Sequence, residues 1–171
     1  MKQNNWFDPF FVLENLSTED KLIQKNVKDF SNKVLKPMVV KYNRNHYFDR
    51  DLYKLFGKLG LLGSTIKSHG GAGASDTAYG LIAYEIEKID SSYRSSISVQ
   101  SSLVIHPIDT FGSDEQKSKY LPELISGIKI GCFGLTESEA GSDPSSMKTT
   151  YKKNTPPSYP PTLCTYPPTY M

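Results

Sequence analysis

No apolar run in the 171-residue sequence approaches the roughly 18 residues that a membrane-spanning helix needs, and such a helix is excluded. An excess of one charge sign is missing too. Twenty Lys and Arg stand against 18 Asp and Glu, a formal net charge of +2, so electrostatics makes no case for nucleic acid or an anionic membrane as partner. Cysteine is scarce: Cys132 and Cys164 cannot build a disulfide framework and have no metal-ligand spacing, and no metal site is expected. His46, His69 and His106 show no triad or ligand spacing, and His106 reads as a packed helix residue. The opening stretch, Met1 to Phe7, is too polar for a secretory apolar segment, and no Arg/Ser-rich transit stretch precedes the folded-looking part. These absences lead to the expectation of an ordinary soluble protein from a reducing compartment.

What is present changes character near residue 150. Residues 155–171 hold six of the 11 prolines and no charged residue, and Tyr159-Pro160-Pro161-Thr162 recurs as Tyr166-Pro167-Pro168-Thr169. Proline lacks the N–H that helices and sheet ladders require and restricts the residue before it. The stretch is therefore expected to be polyproline-like or disordered. It reads as a tail without function, with a ligand for a Pro-binding module as the alternative.

Upstream the pattern is helical. Ser17 with Asp20 fits a capping arrangement, and Ile23, Val27, Phe30 and Val34 then make one stripe at the helical period, predicting a helix over 17–40 that weakens at Pro37. A second helix is predicted from Asp51 to Leu59, with Leu52, Leu55, Phe56 and Leu59 inward and Gly60 as its stop. Residues 68–73 (SHGGAG) follow no strand signal and fit neither GxGxxG nor a P-loop, so they read as a linker. A third helix starts near Ser75 or Asp76, with Ile82, Ile86 and Ile89 on one side. A fourth, from Ser95 to Phe111, mixes Ser95, Ser96, Ser98, Ser101 and Ser102 with apolar residues and has Pro107 within it. A helix so poor in charge reads as buried, and its hydroxyls must bond back to helix carbonyls or face a ligand cavity. Ser113 with Gln116 makes a capping box for a fifth helix closing near Gly127.

The fold class is therefore mainly α. A helical bundle-like domain spans residues 1–127, the start of a sheet domain 128–150, and a Pro/Tyr-rich tail 151–171. Residues 129–136 (KIGCFGLT) alternate small and apolar residues and predict one strand, which cannot be stable alone.

Residues 131–143, Gly-Cys-Phe-Gly-Leu-Thr-Glu-Ser-Glu-Ala-Gly-Ser-Asp, resemble the first signature of the acyl-CoA dehydrogenases. The preceding helices are similar in order and length to that family's N-terminal α domain. Ala78-Tyr79-Gly80-Leu81, Tyr93-Arg94-Ser95 and residues 98–104 (SVQSSLV) resemble the glutaryl-CoA dehydrogenase branch; residues 112–117 (GSDEQK) and 119–122 (KYLP) match the family generally. The resemblance covers about residues 6–150.

It implies FAD-dependent oxidation of the Cα–Cβ bond of an acyl-CoA, a base taking the α proton while hydride goes to the flavin. In the glutaryl branch, decarboxylation to crotonyl-CoA follows, within lysine and tryptophan degradation. The resemblance places Phe133, Gly134, Leu135, Thr136, Gly141 and Ser142 on the flavin, with Ser142 also touching acyl-CoA. Backbone N–H groups and the Thr136 hydroxyl suit a ring edge on which negative charge develops. The same resemblance gives Arg94 the distal carboxylate of the substrate, with Ser95 and Ser98 adding hydrogen bonds. The alternative for Arg94 is an ion pair with Glu87. Implied partners are the acyl-CoA, an electron-transfer flavoprotein and a homotetramer. The implied location is the mitochondrial matrix in a eukaryote and otherwise the cytoplasm.

The resemblance ceases abruptly near residue 150. The expectation is a reading-frame shift or mis-assigned exon near residue 151. The catalytic glutamate and later flavin contacts would then be lacking, so that none of the residues present is expected to be catalytic. On that reading the chain by itself is inactive and binds FAD poorly, and a helical interaction module or a dehydrogenase for a monocarboxylic acyl-CoA stands as the rival.

Overall fold

The computed structural model describes residue 8 and residues 11–150; the Pro/Tyr-rich segment 151–171 lies outside them. The described part divides into two units, one running to Phe133 and the other from Gly134 onward.

Helix α1 (Thr18–Phe30) starts where Ser17 Oγ accepts the Asp20 N–H at 3.0 Å, which satisfies one of the helix's orphan donors. The helix does not end near residue 40. It widens into a π turn at Ser31–Leu35, tightens into a 3-10 turn at Lys36–Met38 and resumes as α2 (Val39–Arg44). The cause is Pro37, which has no N–H and whose ring crowds the carbonyl four residues earlier. The wider turn carries Leu35, fully buried, into the core in place of Val34, which is only half-buried.

Helix α3 (Leu52–Lys58) buries Leu52, Tyr53 and Phe56, and Gly60, at φ +70°, ends it. Leu55 and Leu59 are 41% and 50% exposed, which corrects the inward placement expected for them. They lie on the side of this short helix that the core does not cover. The 68–73 segment is a loop, closed by a Gly71 N–H to Ser68 carbonyl bond of 2.9 Å. Helix α4 (Asp76–Glu87) is capped by Ser75, whose Oγ accepts the Ala78 N–H and donates to Asp20 Oδ1, tying the starts of α4 and α1 together.

The Ser-rich helix begins earlier than its pattern suggests, as α5 (Ser91–Ser98), because the Asp90 carboxylate accepts the Ser92 N–H at 2.8 Å. It passes through a second π segment, Val99–Ile105, into α6 (His106–Phe111), again just ahead of a proline, Pro107. His106 is exposed, not packed as expected. Helix α7 (Asp114–Ile125) opens on the capping box of Ser113 and Gln116, runs through Pro122 and closes at Gly127, φ +73°.

These helices enclose one core around Leu35, Phe56, Leu62, Ile86, Ile105 and Leu121. Phe56 meets Phe30 and Tyr53 edge-on, with ring centroids 6.2 and 6.3 Å away. The strand expected at 129–136 does not form. The segment has no regular secondary structure and pairs with no strand, and the sole bridge among the described residues joins Glu137 to Ala140. A strand needs a neighbour for its ladder, and the described residues supply none. No described helix is long and apolar enough to cross a membrane, and no described group of three or more His, Cys, Asp or Glu could hold a metal ion.

Candidate functional site

Asp90 fixes the start of the helix that carries Arg94. Its carboxylate caps α5, accepts the Ser92 hydroxyl as well as the Ser92 N–H, and takes a third hydrogen bond from Asn43 Nδ2 at 3.2 Å. The Ser92 side chain, first, and then Asn43 hold this carboxyl below the usual carboxylate range against a desolvation cost. Arg94, half-buried one turn into α5, donates from Nε to Glu87 Oε2 at 2.6 Å. The Arg94 guanidinium, aided by the Ser91 side chain, keeps Glu87 below the usual carboxylate range, so Glu87 is ionised at neutral pH. Both side chains are substantially exposed, 38% and 44%, and the pair is screened by solvent. The ion pair foreseen as the alternative role of Arg94 therefore exists, but it engages only one edge of the guanidinium. The two terminal nitrogens have no partner among the described residues.

The serine hydroxyls fall into two groups. Ser96 Oγ donates back to the Tyr93 carbonyl at 2.8 Å, Ser101 Oγ accepts the Gly63 N–H at 3.0 Å, and Ser102 Oγ pairs with the Tyr79 hydroxyl at 2.8 Å. These three serve the fold. Ser95 and Ser98, both half-buried, have no side-chain partner among the described residues. Ser98 stands one helical turn after Arg94, on the same face. Ser92 and Ser96 instead line a cleft of about 440 Å³ with Phe48, Arg50, Tyr53 and Ile130, whereas Arg94 borders a separate depression with Gly80, Tyr84 and Glu87.

Six residues after Arg94, Gln100 is fully buried within the second π segment. Its Nε2 donates to the carbonyls of Leu124 and Lys129, both at 2.9 Å, and its Oε1 accepts the Gly131 N–H at 2.9 Å. Motif reading quoted Gln100 only within the SVQSSLV run; a buried amide in a helix otherwise lined with serines is the signal that could have singled it out. Phe133 follows two residues later, exposed.

In the second unit, Gly134, Leu135, Thr136, Gly141 and Ser142 are all exposed. The backbone N–H groups of Phe133, Gly134, Leu135 and Thr136 bond to no described residue. A run of backbone with unengaged donors and an exposed Thr136 hydroxyl fits the polar, acceptor-bearing edge of a flavin ring. Glu137 turns the chain back: its N–H bonds the Ala140 carbonyl at 3.1 Å, and its carboxylate accepts the N–H groups of Lys148 at 2.9 Å and Thr149 at 3.0 Å. Asp143 caps the short 3-10 turn Pro144–Ser146 by accepting the Ser145 N–H at 3.1 Å.

Residues 17–128 match the family model described as acyl-CoA dehydrogenase, N-terminal domain. The chain belongs to the acyl-CoA dehydrogenase family. An acyl-CoA dehydrogenase of Bacillus subtilis is 39% identical over 142 residues, 82% of this chain and 38% of that protein. A short-chain-specific acyl-CoA dehydrogenase of Clostridium acetobutylicum is 33% identical over 136 residues, 79% of this chain and 36% of its own length. Two solved structures of a glutaryl-CoA dehydrogenase from Mycobacterium smegmatis superpose on it. One is 43% identical with a TM-score of 0.78, covering 83% of this chain and 37% of that one. The other, in complex with FADH2, is 41% identical with a TM-score of 0.79, covering 82% and 36%. The chain thus spans little more than a third of the length of the relatives it matches. The family is one of FAD oxidoreductases, and its N-terminal domain is the helical part described above.

Proposed function

We propose that the chain forms the substrate-facing helical part of an FAD-dependent acyl-CoA dehydrogenase whose substrate is glutaryl-CoA. The observation that carries this reading is Arg94. Its terminal nitrogens are unengaged, its helix is otherwise nearly free of charge, and the unpartnered hydroxyls of Ser95 and Ser98 lie within a turn of it. A guanidinium offers a carboxylate two parallel donors, a match that a lysine ammonium cannot make. Arg94 would hold the distal carboxylate of the substrate while Ser95 and Ser98 add hydrogen bonds, and Ser142 would touch both acyl-CoA and flavin.

Bound FAD supplies the hydride acceptor for oxidation of the Cα–Cβ bond. The N–H groups of Phe133 to Thr136 and the Thr136 hydroxyl then act electrostatically, favouring negative charge on the ring edge they face. Decarboxylation to crotonyl-CoA, an electron-transfer flavoprotein as acceptor and a homotetrameric assembly belong to the same reading.

A second reading is a short monocarboxylic acyl-CoA as substrate. It is favoured by the Glu87 carboxylate already seated on Arg94, which leaves less net positive charge for a second anion. Binding separates the two without relying on turnover. Titrating the chain and its Arg94→Ala variant with glutaryl-CoA and butyryl-CoA should show glutaryl-CoA bound about tenfold more weakly by the variant, as expected for losing a charge-assisted hydrogen bond. Butyryl-CoA affinity should not move. Equal affinities of the wild type for the two ligands, unaltered by the substitution, would sink the glutaryl reading and leave the monocarboxylic one.

A further inference from the structure

A glutamine side chain has two donor hydrogens and an acceptor oxygen, and burial without partners is costly for each. Gln100 satisfies all three functions at once, with no exposure to solvent. The partners also fix which way the amide points. Reversing it would set its oxygen against two carbonyls and its nitrogen against an N–H. Two of the three partners, Lys129 and Gly131, lie on the segment leaving α7; the third is Leu124 within α7. The approach is close as well: a Cβ at Gly131 would stand 2.3 Å from Val104 Cγ1, so only glycine lets the segment lie against the π segment. The π segment itself is part of the device, since its wider turn is where Gln100 and Val104 both meet residues 129–131.

We propose that Gln100 is a positioning residue. By gripping Lys129 and Gly131 it sets the register and direction in which the chain leaves the helices, two residues ahead of the first backbone donor for the flavin at Phe133. This rests on the reading of residues 133–136 as flavin-contacting. It also makes one helix responsible for both ends of the chemistry, with Arg94, Ser95 and Ser98 for the substrate and Gln100 for the start of the cofactor segment.

The test uses the 171-residue chain, its Gln100→Met and Gln100→Glu variants, and Thr136→Val as a control on the flavin. Hydrogen exchange of the Gly131 amide, relative to core amides of α5 and α7, reads the grip directly. Gln100→Met keeps the volume and loses every bond, so the Gly131 amide should exchange about tenfold faster than in the wild type. Gln100→Glu keeps the shape but sets a carboxylate against two carbonyls, so it should loosen the segment at least as much. If Gln100 merely fills space, the isosteric Glu variant would exchange like the wild type, and the proposal falls.

FAD affinity, read from quenching of flavin fluorescence, supplies the second measurement. Weaker binding by both Gln100→Met and Thr136→Val supports the positioning role. Weakening by Thr136→Val alone overturns that role and leaves the flavin reading standing. Saturable quenching that is equal in the wild type and both variants removes the flavin reading and the positioning role with it.

Discussion

The residues up to Phe133 and those from Gly134 on are held by different kinds of interaction. In the first region, Leu35, Phe56, Leu62, Ile86, Ile105 and Leu121 are wholly buried, and turns and caps close most of the helix ends. Among the described residues of the second, one backbone bridge and the two bonds that Glu137 accepts from Lys148 and Thr149 are the main ties, and nearly every one is exposed. Hydrophobic burial cooperates across the whole core, whereas a few exposed hydrogen bonds stabilise only their own turn. The helical region should therefore unfold as a unit, and the second should open locally at little cost.

The largest blow to that contrast falls on Phe56. Truncating it to alanine removes a ring packed edge-on against both Phe30 and Tyr53 and leaves a cavity. The expected loss is about 3–5 kcal/mol, a large part of the stability of a domain this size. Thermal unfolding followed by circular dichroism should show the helical transition moved down by many degrees or abolished. A shift of only a degree or two would mean that the helices do not share one core.

Backbone proximity gives the next effect, through two glycines of opposite character. A Cβ at Gly57 would lie 2.3 Å from the backbone carbon and oxygen of Ser126, so α3 and the end of α7 touch with no room for a side chain. Gly57→Ala should destabilise the helical region by about 2–3 kcal/mol. A Cβ at Gly80, inside α4, would meet nothing within 4 Å. Gly80→Ala should stabilise by about 0.5–1 kcal/mol, because alanine gives up less backbone entropy on entering a helix. Opposite signs in urea denaturation at unchanged slope would confirm the packing; the same sign for both would refute it.

What the sequence made legible follows from how local each signal is. The caps Ser17 and Ser113, and a helix start near Ser75 or Asp76, were readable because a cap is settled within three residues. Gly60 and Gly127 were readable as stops for the same reason. The inward faces of α1 and α3 were only partly so. Periodicity gives a stripe, but Leu55 and Leu59 stay exposed where no element covers them, and the π turn ahead of Pro37 trades Val34 for Leu35. The strand at 129–136 failed because alternation states a willingness to pair and cannot supply the neighbour. At the candidate site, the Arg94 and Glu87 pairing was foreseen as one of two roles, from residue types and helical spacing. Gln100 was not: an amide among serines marks the residue, but its partners lie 24 to 31 positions away, and nothing local says what it binds.

The smallest effect sharpens the contrast from the second region. The Thr149 side chain, first, and then the Lys148 N–H hold the Glu137 carboxyl below its usual range. A carboxyl whose folded value is depressed contributes stability that is fully present above its unfolded value, roughly 4.3, and is lost as pH falls through the lower folded value. At neutral pH the turn is therefore closed, and acidification should release it before the helical core responds. Hydrogen exchange of the Lys148 and Thr149 amides, corrected for the intrinsic pH dependence, should lose what protection it has in that acid window. Glu137→Gln should lose it at neutral pH too, since a neutral amide accepts more weakly than a carboxylate and offers it through one oxygen instead of two. Core amides such as those of Ile97 and Leu121 should keep their rates in both experiments. If they loosened in step with residues 148 and 149, the two regions would be one cooperative unit.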